Sequence, residues 1–148
     1  MSSTILNIIS TSPSFEPDNI MLARAKKLLV KFYRDEQIEC ITTDTIDFID
    51  QGQNFESVSC NLCKQTFEIE DWQNAMDNAY EHQFTDLTFI TPCCKKKTSL
   101  NDLTYKSPAG FAKFVVCISD AQNELEKSEL EKLEEMLGTT LRLIWAHY

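Results

Sequence analysis

The chain has 148 residues, 43% of them apolar, which is enough to bury one core of ordinary size. With only 3 Gly and 4 Pro, its composition differs from that of low-complexity and disordered chains. The net charge of −9 repels nucleic-acid phosphates, and no apolar run reaches the roughly 18 residues of a membrane span. We therefore expect a soluble protein that binds neither nucleic acid nor a membrane.

The first part of the chain predicts a strand, a helix and a second strand. Residues 5–9 form a short apolar run, and Asp18 or Asn19 can cap the helix that follows. Residues 38–49 are rich in β-branched side chains and predict a strand with a bend near Asp44. The predicted buried face of the helix recurs every three or four residues and consists of Leu22, Ala25, Leu28, Leu29, Phe32 and Tyr33.

The last part of the chain repeats this order. Residues 111–118 predict a strand that places Ala112, Phe114, Val116 and Ile118 on one face. Ser128 and Glu131 form a capping box that predicts the start of a helix, and Gly138 predicts its end. Residues 140–146 predict the final strand.

Strand, helix, strand, taken twice, predicts an α+β fold of the ferredoxin-like kind, a βαβ–βαβ sandwich. We assign residues 1–57 and 111–148 to this sandwich. The intervening residues 58–110 contain a predicted helix from Asp71 and two short strands. We interpret them as a zinc-ribbon-like lobe with its connecting loop, inserted between the second and third strands of the sandwich.

The lobe contains two close pairs of cysteines, Cys60-x-x-Cys63 and the adjacent Cys93-Cys94. Residues 1–14 lack the features of a signal peptide, so we expect a cytoplasmic location, where cysteines bind metals more often than they form disulfides. This spacing predicts one structural zinc with four thiolate ligands and no open position for catalysis. Because adjacent ligands are less usual than CxxC, His82 is kept as an alternative to Cys93 or Cys94.

Several motifs together resemble those of a family of small bacterial proteins of uncharacterised activity. The resemblance lies in Cys60-x-x-Cys63, Thr91-Pro92-Cys93-Cys94, Ser99-Leu100-Asn101-Asp102-Leu103-x-Tyr105, Pro108-x-Gly110-Phe111-Ala112-x-Phe114 and Leu137-Gly138-x-x-Leu141-Arg142-x-Ile144-Trp145-Ala146-His147-Tyr148. It implies a bacterial, cytoplasmic protein and carries no activity with it. Where members of the family often have Pro or Gly beside the cysteines, this chain has Asn61, Lys64 and Lys95. Glycine suits the positive φ that such turns often need.

Two classes of function are compatible with these features. The favoured one is a non-catalytic protein-interaction module, which includes immunity-type inhibitors, since no nucleophile–base pair is visible. The alternative is a small-ligand-binding protein or enzyme that uses Asn101, Asp102 and Tyr105, which lie in a loop between lobe and sandwich.

Overall fold

The computed structural model describes residues 3–148, and a four-stranded antiparallel sheet is its largest element. The strands are β1 (Thr4–Ser10), β2 (Ile38–Ile49), β7 (Gly110–Ser119) and β8 (Leu141–His147). Their order across the sheet is β2-β7-β1-β8, so β1 and β7 are the central strands. The pairing of β2 with β7 shifts register between Thr42 and Asp47, close to the predicted bend at Asp44.

One face of this sheet packs against two helices, α1 (Asn19–Leu29) and α3 (Lys127–Leu137). Alternate residues of the central strands supply the sheet side of this core, because side chains along a strand point to opposite faces. The fully or almost fully buried members of this core include Leu6, Ile8, Leu29, Val116, Ile118, Leu133 and Leu137. The predicted cap residues Asp18 and Gly138 both lie at helix ends: the Asp18 carboxylate accepts from the N–H of Met21, and Gly138 has φ +68°.

The lobe leaves the sheet after β2 and returns to it at β7. It contains β3 (Val58–Ser59), α2 (Ile69–Glu81), β4 (Thr88–Ile90), β5 (Lys97–Ser99) and β6 (Thr104–Tyr105). Two small antiparallel pairs, β3 with β6 and β4 with β5, hold it together. Its apolar cluster extends to the sheet through Phe111, whose ring lies 5.1 Å from that of Phe48 and 5.2 Å from that of Phe84.

Two local predictions were wrong. Phe32 is 48% exposed, because α1 ends at Leu29 and the following turn directs Phe32 away from the buried stripe, whereas Tyr33 is buried. Helix α3 begins one residue before the predicted cap Ser128: its N-cap is Glu126, whose carbonyl accepts from the N–H groups of Glu129 and Leu130.

Within residues 3–148, no helix has the length and apolar character needed to cross a membrane.

Candidate metal centre

The side chains of Cys60, Cys63, Cys93 and Cys94 converge in the lobe, with their four sulfur atoms all within 4.8 Å of one another. Cys60 is buried, Cys93 and Cys94 are half-buried, and Cys63 is exposed. The group therefore has an inner side, at Cys60, and an outer side, at Cys63. Two cysteine pairs that are separated in the sequence are thus brought together, as the sequence predicted.

The first pair is held by a tight turn of residues 60–65, named here the first turn. The N–H of Cys60 donates to the carbonyl of Gln65 over 2.8 Å, and the N–H of Lys64 donates to the carbonyl of Cys60 over 3.0 Å. Two further N–H groups, of Leu62 and Cys63, point at the Cys60 sulfur from 3.3 and 3.4 Å. These amide dipoles stabilise negative charge on that sulfur.

The second pair lies in a turn of residues 91–96, the second turn, which joins β4 to β5. The N–H of Thr91 donates to the carbonyl of Lys96 over 3.0 Å, and the N–H of Lys95 donates to the carbonyl of Thr91 over 2.9 Å. The Thr91 hydroxyl lies 3.1 Å from the Cys94 sulfur.

The sulfur positions fit a tetrahedral metal ion. Zinc bound to four sulfurs at about 2.3 Å places them about 3.8 Å apart along each edge of the tetrahedron. The Cys60 and Cys94 sulfurs lie 3.8 Å apart, and those of Cys63 and Cys93 lie 3.3 Å apart. Both distances are too long for a disulfide, whose S–S bond is about 2.05 Å. Small movements of the sulfurs would complete the coordination of one ion.

The pKa values of the Cys60 and Cys93 thiols are shifted in opposite directions. Desolvation opposes ionisation of Cys60, but hydrogen bonds from the backbone amides of Cys63 and Leu62 lower the pKa of its thiol to about 6. Desolvation, together with the Cys63 and Cys60 side chains, raises the pKa of Cys93 to about 12. Crowded thiolates repel one another, and a bound dication removes that repulsion. The cluster is therefore suited to bind a divalent ion.

Four lysines adjoin the two turns: Lys64, Lys95, Lys96 and Lys97. Among the salt bridges of the described residues, none involves any of these four side chains. Zinc with four thiolates carries a charge of about −2, and nearby ammonium groups offset such a charge. With zinc bound at this site, the lysines would offset part of that charge without any external anion.

Lys64 and Lys95, which follow the last cysteine of each turn, have positive φ angles of 71° and 57°. A left-handed backbone costs a residue with a Cβ about 1 kcal/mol, whereas glycine adopts it freely. We expect Lys95→Gly to raise the free energy of unfolding by only about 0.5 kcal/mol, because the greater entropy of glycine in the unfolded chain offsets part of the relieved strain.

Lys96→Gly is the matched control for Lys95→Gly. It removes the same charge one position later, where φ is not positive, so we expect it to lower stability. Thermal or denaturant unfolding of the metal-loaded variants measures the difference. Equal effects of the two substitutions would contradict the assignment of backbone strain to position 95.

The remaining predicted site residues lie away from the four sulfurs. His82, the alternative ligand, follows α2 and lines a groove between α2 and β4, outside the cysteine cluster. Asn101 and Tyr105 are buried and bonded internally: Asn101 bonds Thr11, Phe111 and Arg142, and the Tyr105 hydroxyl donates to the carbonyl of Leu100. Asp102 is exposed.

The other two cysteines, Cys40 and Cys117, are half-buried in the sheet. Burial raises the pKa of the Cys40 thiol, and burial together with Glu39 raises the pKa of Cys117 to about 11. Both thiols are therefore protonated near neutrality and poorly nucleophilic.

Two residues that had no predicted role at the site also shape this region. Thr91 is fully buried beside Cys94, and Arg142 clamps the second half of the lobe by donating to the carbonyls of Asn101 and Ala109 over 3.1 and 2.9 Å. A signal for Thr91 was present in the sequence: aligning Thr91-Pro-Cys-Cys-Lys95 with Cys60-Asn-Leu-Cys-Lys64 places Thr91 opposite a cysteine.

Comparisons with protein-family models, with curated proteins and with solved structures found no match. The interpretation of this centre therefore depends on its own geometry.

Proposed function

We propose that this chain is a zinc protein without catalytic activity, in which the metal folds a lobe that docks a protein partner. The observation that carries this proposal is the set of four sulfurs within 4.8 Å. Four protein ligands fill the coordination shell of zinc and leave no position for a water or a substrate. We also propose that the chain is a cytoplasmic protein of bacterial origin and that it belongs to the family that its motifs resemble.

The proposed architecture is a ferredoxin-like sandwich of residues 1–57 and 111–148 with a zinc-ribbon-like insertion at 58–110. Support for the sandwich comes from the antiparallel order β2-β7-β1-β8 and from the packing of α1 and α3 against one face. Support for the insertion comes from its two turns, each of which brings a pair of cysteines to the same point.

The surface that we propose for docking is a groove of about 450 Å³ between α2 and β4. Ala75, Ala79 and Phe89 contribute apolar lining, and Ile90 beside them is 58% exposed. Carboxylates also line the groove, at Asp71, Glu81 and Asp86. A groove with apolar and acidic lining fits an apolar side chain flanked by lysine or arginine.

The backbone of β4 offers hydrogen bonds to such a partner. Leu87 and Thr91 bond across to the β5 side, so the intervening alternate residues Thr88 and Ile90 direct their backbone groups away from β5. The Thr88 N–H already donates to the Asp86 carboxylate. The other outward backbone groups of Thr88 and Ile90 face no second strand, since β4 pairs only with β5 among the described residues. An extended cationic segment of a partner protein can add to this edge as a further strand.

Substitution of Ile90 tests this proposal. Ile90→Lys places a positive charge in a groove proposed to bind a cationic segment and removes the apolar contact, so it should abolish capture of a partner from the native host, while the zinc content stays unchanged. Ile20→Lys is the matched control, because Ile20 is 67% exposed on α1, outside the lobe, and should leave capture intact. Capture followed by mass spectrometry gives the readout. Equal capture by both variants would contradict docking at this groove.

The alternative function, small-ligand binding or catalysis through residues 101–105, has weaker support. The polar groups of Asn101 and Tyr105 already bond within the protein, and the cavity beside Tyr105 and Arg142 is only about 170 Å³.

The acidic groove also fits an immunity-type inhibitor of a cationic target, which is one form of the proposed interaction module.

We further expect no specific binding of nucleic acid. The lysines at 95–97 adjoin a metal centre of charge about −2 in a chain of net charge −9, so DNA and RNA are repelled at moderate salt. The rings of Trp72 and Phe84 are buried and cannot stack on bases. Fluorescence anisotropy near physiological salt measures this. Submicromolar affinity that falls when Lys95, Lys96 and Lys97 are changed to Glu would contradict the expectation.

A further inference from the structure

We infer, on the basis of the metal site proposed above, that Thr91 occupies a ligand position of the second turn and that Cys93 supplies the displaced sulfur. The first turn, residues 60–65, has cysteine at its positions 1 and 4. The second turn, residues 91–96, has cysteine at its positions 3 and 4. The two cysteine pairs are therefore spaced differently because different positions of the same type of turn supply the sulfurs.

The two turns share two backbone hydrogen bonds and a positive φ at position 5. In both, the N–H at position 1 donates to the carbonyl at position 6, over 2.8 Å in the first turn and 3.0 Å in the second. In both, the N–H at position 5 donates to the carbonyl at position 1, over 3.0 and 2.9 Å. Position 5 is in each case a lysine with positive φ, 71° and 57°. Side chains at equal positions therefore leave the backbone in similar directions.

Position 1 is Cys60 in the first turn and Thr91 in the second. The Thr91 side chain is aimed at the metal centre, because its hydroxyl lies 3.1 Å from the Cys94 sulfur. The same hydroxyl lies 3.3 Å from the N–H and from the carbonyl of Lys96, so it is held by the turn itself. A neutral hydroxyl is a poor zinc ligand beside thiolates. Its one hydrogen can be donated to the Lys96 carbonyl or to the Cys94 sulfur, and a metal-bound Cys94 thiolate would accept it.

Cys93 stands at position 3, which in the first turn is Leu62. Leu62 is exposed at the tip of its turn, whereas the Cys93 sulfur turns inward to lie 3.3 Å from that of Cys63. Three sulfurs thus come from the usual positions of the two turns and the fourth comes from a turn tip. The second turn retains the backbone for a CxxC pair, with Thr91 in the place of its first cysteine.

A double substitution tests this directly. Cobalt(II) serves as the probe, because it occupies tetrahedral thiolate sites and its absorption bands report the number of bound thiolates. Cys93→Ser should lower the cobalt–thiolate charge-transfer absorption by about a quarter, since one of four thiolates is lost. Adding Thr91→Cys to this variant should restore the absorption of four thiolates.

A thiol placed elsewhere in the lobe is the control. Thr85→Cys with Cys93→Ser adds a cysteine at a residue whose hydroxyl bonds the carbonyl of His82, and it should behave as Cys93→Ser alone. The inference is overturned if Thr91→Cys with Cys93→Ser gains no more than this control, or if Cys93→Ser alone keeps four bound thiolates. If the unmodified chain binds no cobalt, the proposed metal site itself fails, which is a separate outcome.

The single variant Thr91→Cys gives a second test in a chain that keeps all its cysteines. With zinc bound, the metal should take positions 1 and 4 of both turns and release Cys93. Alkylation with N-ethylmaleimide and peptide mapping should then label Cys93 rapidly in Thr91→Cys but slowly in the unmodified chain. Slow labelling of Cys93 together with rapid labelling of the new cysteine would overturn the inference.

Discussion

Chelation of the metal is expected to unfold the lobe while the four-stranded sheet remains folded. Structural zinc contributes on the order of 10 kcal/mol to the folding of small zinc domains. The proposed zinc would join two turns that are otherwise held by short strands and by the apolar cluster of the lobe. Hydrogen exchange is the measurement. After chelation, the amides of Cys60 and Thr91 should lose protection, whereas those of Ile8 and Val116, in the two central strands, should keep it.

The control for this experiment is a cysteine outside the site. Cys60→Ser should reproduce the effect of the chelator without any reagent, and Cys117→Ser, on the half-buried sheet cysteine, should not. A uniform loss of protection along the chain after chelation would contradict a lobe whose folding depends on the metal separately from the sheet.

Phe111→Ala is expected to give one of the largest losses of stability among substitutions outside the metal site. Phe111 is fully buried, and its ring contacts those of Phe48 and Phe84 where the lobe meets the sheet. Truncating a buried phenylalanine costs about 3–5 kcal/mol, because it removes apolar burial and leaves a cavity. We therefore expect the free energy of unfolding to fall by that amount and the metal to dissociate faster, as the lobe loses its anchor.

Phe114→Ala separates these two effects. Phe114 is equally buried, but it belongs to the core between the sheet and α1 and α3. It should lower the free energy of unfolding by a similar amount and leave the rate of metal dissociation to a chelator nearly unchanged. A loss below about 1 kcal/mol for Phe111→Ala, or equal dissociation rates in both variants, would contradict the role of Phe111 as the anchor of the lobe.

The features that local sequence patterns determine were predicted well. The order of strands and helices follows from the periodicity of apolar residues, and Gly138 ends α3 because glycine accepts a positive φ without strain. The cysteine cluster was predictable because the close spacing within each cysteine pair is visible in the sequence itself. The positive φ at Lys64 and Lys95 followed from the geometry of the same turns.

Two helix ends and the hydrogen bonds of one loop residue were not predicted. Phe32 continues the apolar stripe of α1, yet the helix ends before it, and nothing in the local pattern marks that end. The capping-box pattern at Ser128 competes with Glu126, whose backbone alone starts α3 without a side-chain bond. Asn101 looked like a loop residue available to a ligand, but Thr11 and Arg142, far away in sequence, take its hydrogen bonds.

The metal content of the purified chain tests the central claim most directly. Native mass spectrometry and elemental analysis of protein expressed without added metal should give one zinc per chain, held by Cys60, Cys63, Cys93 and Cys94. Cys60→Ser should lose that zinc and Cys117→Ser should keep it. A folded chain that contains no zinc or iron, with Cys60, Cys63, Cys93 and Cys94 open to alkylation, would contradict the account.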